Sequence, residues 1–296
     1  MNRATPGSFW GVLVVGLAAS TLAAADPVAI DPDPGALARA IQGRRVVLLG
    51  EVHDNAAQHA LRTAALRQWI VAGARPALAF EQFDREHQRD IERARSDRPK
   101  DADYLIGEAK GDPTWNWTLY RPLVALALEF DLPIIAANLS RTDAMQVALQ
   151  GWSAVFDAKT QARLKLDALP TDLRSRQESA IAVGHCNLLP APMLPAQARA
   201  QMARDLVMAQ SILPYADRGV VLLAGNGHVQ RDIGVPLWLE TEAKRDAISI
   251  GMLERSEDGA APESATDFDA YVITERAERP DPCKDLAQRF HAPAKR

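Results

Sequence analysis

Cysteine is nearly absent from this chain, which holds only Cys186 and Cys283 in 296 residues. Two thiols so far apart do not supply a zinc site, which needs more ligands. In an oxidising compartment an isolated pair is most simply a disulfide, and two free thiols are the other reading. A bridge closing a loop of ~97 residues would stabilise the fold by roughly 4–5 kcal/mol at the upper end. Long apolar runs are also scarce. The only one, Phe9 to Leu22, is short for a membrane span of roughly 20 residues, and no later segment is apolar enough to cross a bilayer. No basic stripe is present and the net charge is −4, so nucleic acid is not an expected partner. HExxH, GxSxG, a P-loop and the dinucleotide GxGxxG are all missing. Zinc protease, serine hydrolase and nucleotide-hydrolase readings of the usual kind therefore have no support.

The N-terminus has the layout of a secretory signal peptide. Arg3 provides a positive start, Phe9–Leu22 the apolar region, and Ala23, Ala24 and Ala25 a small-residue cleavage site before Asp26. Cleavage of residues 1–25 is expected, with a periplasmic or secreted mature chain from residue 26 to 296. No cysteine stands near the site to carry a lipid, so no lipid anchor is expected.

Four continuous apolar runs read as buried parallel strands: RRVVLLGEV (44–52), PALAFEQ (76–82), LPIIAANL (132–139) and GVVLLAGNGHV (219–229). Leu61, Ala65, Leu66, Trp69 and Ile70 recur at helical spacing between the first two. Asp54 or Asn55 can cap that helix and Gly73 can end it, which makes a βαβ unit. Two later strands fit 247–253 and 268–275. Residues 84–112 are polar and helical. From about 140 to 218 the pattern is helical throughout, with helices over 142–149, 158–166, 173–183 and 196–212. A short helix follows Pro280. The expected fold is α/β, a parallel sheet flanked by helices, with a smaller helical subdomain inserted at about 140–218.

Each of the four strands stops in polar residues. The first ends in Gly50-Glu51-Val52-His53, the second in Glu81, the third in Asn138 and the fourth in Gly225-Asn226-Gly227-His228. Ligands of open parallel sheets bind at the carboxyl ends of the strands. Glu51, His53, Glu81 and His228, with Asn138 and Asn226, are therefore a candidate shared site. A purely structural polar network is the competing reading. Carboxylates and imidazoles so placed suit either a divalent metal or an acid–base pair. The glycines around Asn226 allow close backbone approach or positive φ, although GNG alone is a weak signal.

The runs LLGEVHDNAAQH, LAFEQFD, WNWTLYRPL, AANLSR, ARDLVMA and LLAGNGHVQRDIGVPLWL, in this order from Val46 to Leu239, resemble the ChaN-like haem-binding family. More distantly the chain is similar to Tiki-type and erythromycin-esterase-like proteins. The resemblance implies a parallel sheet with a smaller helical domain, and haem binding at the cell envelope in iron uptake. It also implies a tyrosine on the iron, histidine and lysine contacts to the propionates, a haem-induced homodimer holding two haems face to face, and delivery from an outer-membrane haem receptor. Four tyrosines are available. Tyr120, beside two tryptophans, is the first choice for the iron and Tyr104 the second, an interface tyrosine being the alternative for both. Tyr271 fits a strand and Tyr215 a turn. Lys100, Lys110 and His87 lie near that region without a match to the family's contacts. His185, next to Cys186, is a further haem candidate or simply held by a disulfide. Pro282-Cys283 is in the wrong order for a Cys-Pro haem motif. Arg204 and Asp205 read as a salt bridge, Met202 and Met208 as core fillers, and His59 and His291 have no special context. The described family member is a lipoprotein, whereas this chain points to a soluble periplasmic form. An acid–base or metal-dependent hydrolase using the strand-end residues is the alternative function.

Overall fold

Seven strands make one wholly parallel sheet in the computed structural model, which describes residues 26–109, 114–256 and 261–291. The expected signal peptide and Lys110 lie outside the described residues, and so does the side chain of His291. The strands are β1 (Val28–Ile30), β2 (Val46–Leu49), β3 (Ala77–Asp84), β4 (Ile134–Asn138), β5 (Val220–Leu223), β6 (Ala247–Glu254) and β7 (Ala270–Thr274). They lie in the order β1-β7-β6-β2-β5-β3-β4. The four expected central strands form. So do the two later ones, while the short β1 at the edge carries no pattern that distinguishes it from a loop.

The apolar runs are continuous because both faces of the sheet are covered. Val47, Leu49, Leu78, Phe80, Val221 and Leu223 point to one core, and Val46, Leu48, Ala79 and Leu222 to the other. On the first face lie α1 (Pro34–Ile41) and α2 (Ala56–Val71), and also α3 (Gln88–Asp97), α4 (Ala102–Glu108) and α5 (Trp117–Glu129) between β3 and β4. Asn55 caps α2 by accepting from the Gln58 N–H. The helix α5 is hidden in the sequence by Pro122, which sits inside it.

Between β4 and β5 run α6 (Arg141–Gln150), α7 (Ala158–Leu164), α8 (Thr171–Gly184) and α9 (Leu194–Ile212), within about two residues of the expected helices. α9 joins two cores. Its Met202 and Leu206 pack with Val147, Trp152 and Phe156 of the insertion, while Met208 and Ile212 pack on the sheet. Both methionines are buried, as expected of core fillers. The one-turn α10 (Asn226–Val229) follows β5, α11 (Thr241–Arg245) precedes β6, and α12 (Pro282–His291) closes the chain.

Cys186 and Cys283 form a disulfide that ties α12 to the end of α8. Its 97-residue separation spans β5, β6 and β7. Reduction, or Cys283→Ser, is expected to cost about 2–4 kcal/mol of unfolding free energy. Urea titrations with and without reductant check this, and superimposable curves would contradict it.

Candidate active site

Glu51 follows Gly50 just past the end of β2, and its carboxylate is fully buried. A buried carboxylate needs partners, because an unpaired one is too costly to keep. Arg62, reaching in from α2 and itself fully buried, pairs with Oε2. Tyr120 of α5 donates to Oε1 at 2.7 Å, and His53 Nδ1 lies 2.8 Å from the same oxygen. A carboxylate only accepts, so His53 Nδ1 is the donor in this contact. His59 donates from the other ring nitrogen. Arg62 can only donate, so His59 Nδ1 accepts from it at 3.0 Å and Nε2 donates to the His53 carbonyl at 3.0 Å. Burial lowers the pKa of His59, in keeping with a neutral ring. Burial also lowers Arg62, to about 10, which leaves it charged at neutral pH.

A second cluster forms around His228 of α10. Its Nδ1 lies 2.6 Å from Asp205 Oδ1 on α9, and its Nε2 lies 3.4 Å from Glu81 Oε1 on β3. All three side chains are almost entirely buried. Burial alone would lower His228, but the charges of Glu81 and Asp205 and their hydrogen bonds push it up to about 10. Burial alone would raise Glu81. The facing imidazolium overrides this, with help from His53 and the Gly225 N–H, and takes the carboxyl down to about 2. Asp205 goes the other way, to about 6, because burial dominates there over the attraction of His228. The shorter contact thus belongs to the weaker acid of the two. Glu81 also faces His53 and its Oε2 accepts the Gly225 N–H at 2.7 Å, whereas Asp205 feels the Glu81 charge and its Oδ2 has no hydrogen-bond partner among the described residues.

The two clusters meet at Gly225. A Cβ there would lie 2.7 Å from His53 Nε2 and 3.7 Å from Glu81 Oε2, so only glycine lets the imidazole approach this closely. Close approach, not positive φ, is what this glycine provides, since its φ is −61°. Glu81 reaches the edge because the register of β3 on β4 shifts between Phe80 and Asp84. The open member is His53, whose side chain is 45% exposed, with its ring edge-on to Trp115 at 5.0 Å between centroids.

Glu51, His53, Glu81, His228 and Tyr120 are therefore brought together, and the rest are not. Asn226 is structural: its amide donates to the Met252 carbonyl at 2.6 Å and accepts the Met252 N–H at 3.0 Å, lashing α10 to β6. Asn138 accepts from Arg204 at 2.8 Å. The expected Arg204–Asp205 pair is corrected accordingly, because each residue turns to its own partner. Tyr120 is also corrected as an open iron ligand. It is fully buried with its hydroxyl on Glu51, and burial pushes its pKa up, away from the phenolate that iron would require. Tyr104 lies on α4 with the Arg98 guanidinium 4.3 Å from its ring centre, and Tyr215 and Tyr271 pack on the second core. His185 caps α8, its Nδ1 donating to the Ile181 carbonyl at 2.8 Å, and His87 pairs with Asp90. Nor do the four strand-end residues make a metal cage. No group of three His, Cys, Asp or Glu among the described residues is arranged to hold an ion.

Sequence reading alone misses His59, Arg62 and Asp205 as site residues. Their signal is position: Gln58, His59 and Arg62 share the buried stripe of α2 with Leu66 and Ile70, and Asp205 sits among Met202, Leu206 and Ala209 on α9. Charged residues on an apolar stripe are rarely buried without a partner.

The family model described as "Haem-binding uptake, Tiki superfamily, ChaN" matches residues 37–239. No curated protein matches the chain. Among solved structures, "Cofacial heme binding to ChaN of Campylobacter jejuni" is similar at 19% identity and a TM-score of 0.61, covering 79% of this chain and 88% of that one. This likeness concerns the fold. A mutant of the erythromycin esterase EreC, in its open conformation, aligns at 15% identity with a TM-score of 0.42, over 77% of this chain and 76% of its own. The type III effector HopBA1 aligns at 11% identity and 0.46, over 88% of this chain and all of its own.

The His228 cluster makes stability depend on pH with a definite sign. Its folded pKa is raised, so its contribution is complete below the ordinary value of 6.5 and is lost as pH rises towards about 10. Over that window the slope contributed approaches ~1.4 kcal/mol per pH unit. Chemical unfolding from pH 6 to 10 is expected to show this loss in the wild type and a flatter profile in His228→Gln. Parallel profiles would contradict the assignment.

Proposed function

We propose that this chain, which belongs to the haem-binding uptake (ChaN) family of the Tiki superfamily, binds haem as cargo at the cell envelope and serves in haem or iron uptake. The observation that carries this reading is the family match over 37–239, most of the mature chain. The N-terminal Arg3, apolar stretch and Ala-rich site support a periplasmic or secreted location. The Campylobacter protein is described as binding haem cofacially, and by analogy a haem-induced homodimer is the assembly expected here. An outer-membrane haem receptor is the expected donor. In such a protein haem is carried, so the chain's task is to grip the porphyrin and present a ligand to the iron.

A second reading has its own observation. His53 is oriented by a buried carboxylate, its half-exposed ring packs against Gly225, and the buried His228 imidazolium lies beside Glu81, which accepts the Gly225 N–H. A general base backed by a carboxylate is the arrangement of acid–base hydrolases. In this reading His53 takes a proton from water or substrate, Glu51 stabilises the resulting imidazolium, and His228 supplies positive charge to a developing anion.

Haemin titrated into the mature chain separates the two. The first reading predicts a saturable Soret change with a shift from monomer to dimer in sedimentation, and absence of saturation contradicts it. The second predicts ester or amide hydrolysis in a substrate screen that falls about 10²–10⁴-fold in His53→Ala. Activity unchanged by the substitution contradicts it.

A further inference from the structure

We propose that the helical stretch between β4 and β5 holds a second binding site, which takes a small zwitterion with an apolar body: a free amino acid or a short peptide. A cavity of about 450 Å³ opens there between α8, α9 and the turns that follow α6 and α7. Its size is that of a small-molecule site. It stands apart from the strand-end residues, none of which line it, so neither reading above bears on it.

Charge points to the ligand. Four ionisable side chains line the cavity: Arg174 and Glu178 from α8, Arg199 from α9 and Asp167 from the turn Leu166–Ala168. Among the described residues none of the four is in an ion pair. Arg174 gives a hydrogen bond only to the Thr171 hydroxyl, at 3.3 Å, and Arg199 only a long one to the Val147 carbonyl, at 3.5 Å. Arg174 and Glu178 are four residues apart on one helix, a spacing at which opposite charges can meet, yet they stay apart. Arg176, on the same helix but outside the cavity, does find carboxylates, Asp172 at 3.4 Å and Asp232 at 3.3 Å.

Unpaired charges of both signs around one cavity fit a ligand that carries both. Guanidinium groups receive a carboxylate through charge-assisted, often bidentate hydrogen bonds, and the two carboxylates receive an ammonium. A ligand with one charge would gain one set of partners and meet repulsion from the other, so the same lining selects against simple anions and simple cations. Trp152 and Met202 add apolar surface, which suits an aliphatic ligand body.

The test is calorimetric titration of the mature chain with L-leucine and with leucyl-leucine. Two analogues run beside them: 4-methylpentanoate, which lacks the ammonium, and 3-methylbutylamine, which lacks the carboxylate. Saturable binding of leucine or of the dipeptide is expected, and the tighter of the two tells a free amino acid from a peptide as the source. Each analogue should bind at least about 10-fold more weakly, the factor that losing one charge-assisted hydrogen bond brings. Arg174→Gln, at an exposed position, and Glu178→Gln should each weaken the zwitterion by a similar factor with circular dichroism unchanged, while Arg176→Gln should match the wild type. No saturable binding of either zwitterion, analogues that bind as tightly, or affinities unchanged in Arg174→Gln and Glu178→Gln would overturn the assignment.

Discussion

The site depends on one buried ion pair, Glu51 with Arg62. Neither side chain has any exposure, and each is placed by a separate element, one beyond β2 and one on α2. A pair this deep contributes little net stability, but removing either partner leaves an uncompensated charge at a cost of about 3–5 kcal/mol. That asymmetry fixes the geometry. With Glu51 held in place, Tyr120 and His53 both turn to its Oε1, and His59 is locked between Arg62 and the His53 carbonyl. The donor nitrogens of the two histidines then follow from which partner can only donate and which can only accept.

Topology brings the second cluster to the first. β5 enters the sheet between β2 and β3, so the ends of these three strands carry Glu51, Gly225 and Glu81 side by side. Gly225 serves both sides: its N–H is given to Glu81, and its missing side chain admits His53. α9, from the helical stretch between β4 and β5, adds Asp205 behind His228. The edge thus holds a buried imidazolium between two carboxylates and a half-exposed histidine anchored on Glu51.

Much of this is legible in the chain. VVLL before Gly50 and again before Ala224 reads as buried parallel strand, and the polar residues that end each run mark the edge where they gather. The helices over 141–212 follow from their periodicity. What stays hidden depends on distant partners. Asp205 looks like the neighbour of Arg204 because sequence cannot show that β5 returns to place His228 beside it. Tyr120 reads as an iron ligand beside two tryptophans because Pro122 disguises the helix that buries it. Asn226 and Asn138 look chemical, yet their amides hold backbone and Arg204 in place. Polar residues at strand ends locate a site, but only packing separates those that face a ligand from those that support it.

Proton positions decide what this edge can do, and nitrogen-15 NMR of the histidine rings reads them directly. At pH 7 to 8 the long-range ¹H–¹⁵N correlations should show His228 protonated on both nitrogens, His59 neutral with its proton on Nε2, and the neutral form of His53 with its proton on Nδ1. A neutral His228, or a His53 ring protonated on Nε2 alone, would contradict the carboxylate-anchored arrangement from which the rest follows.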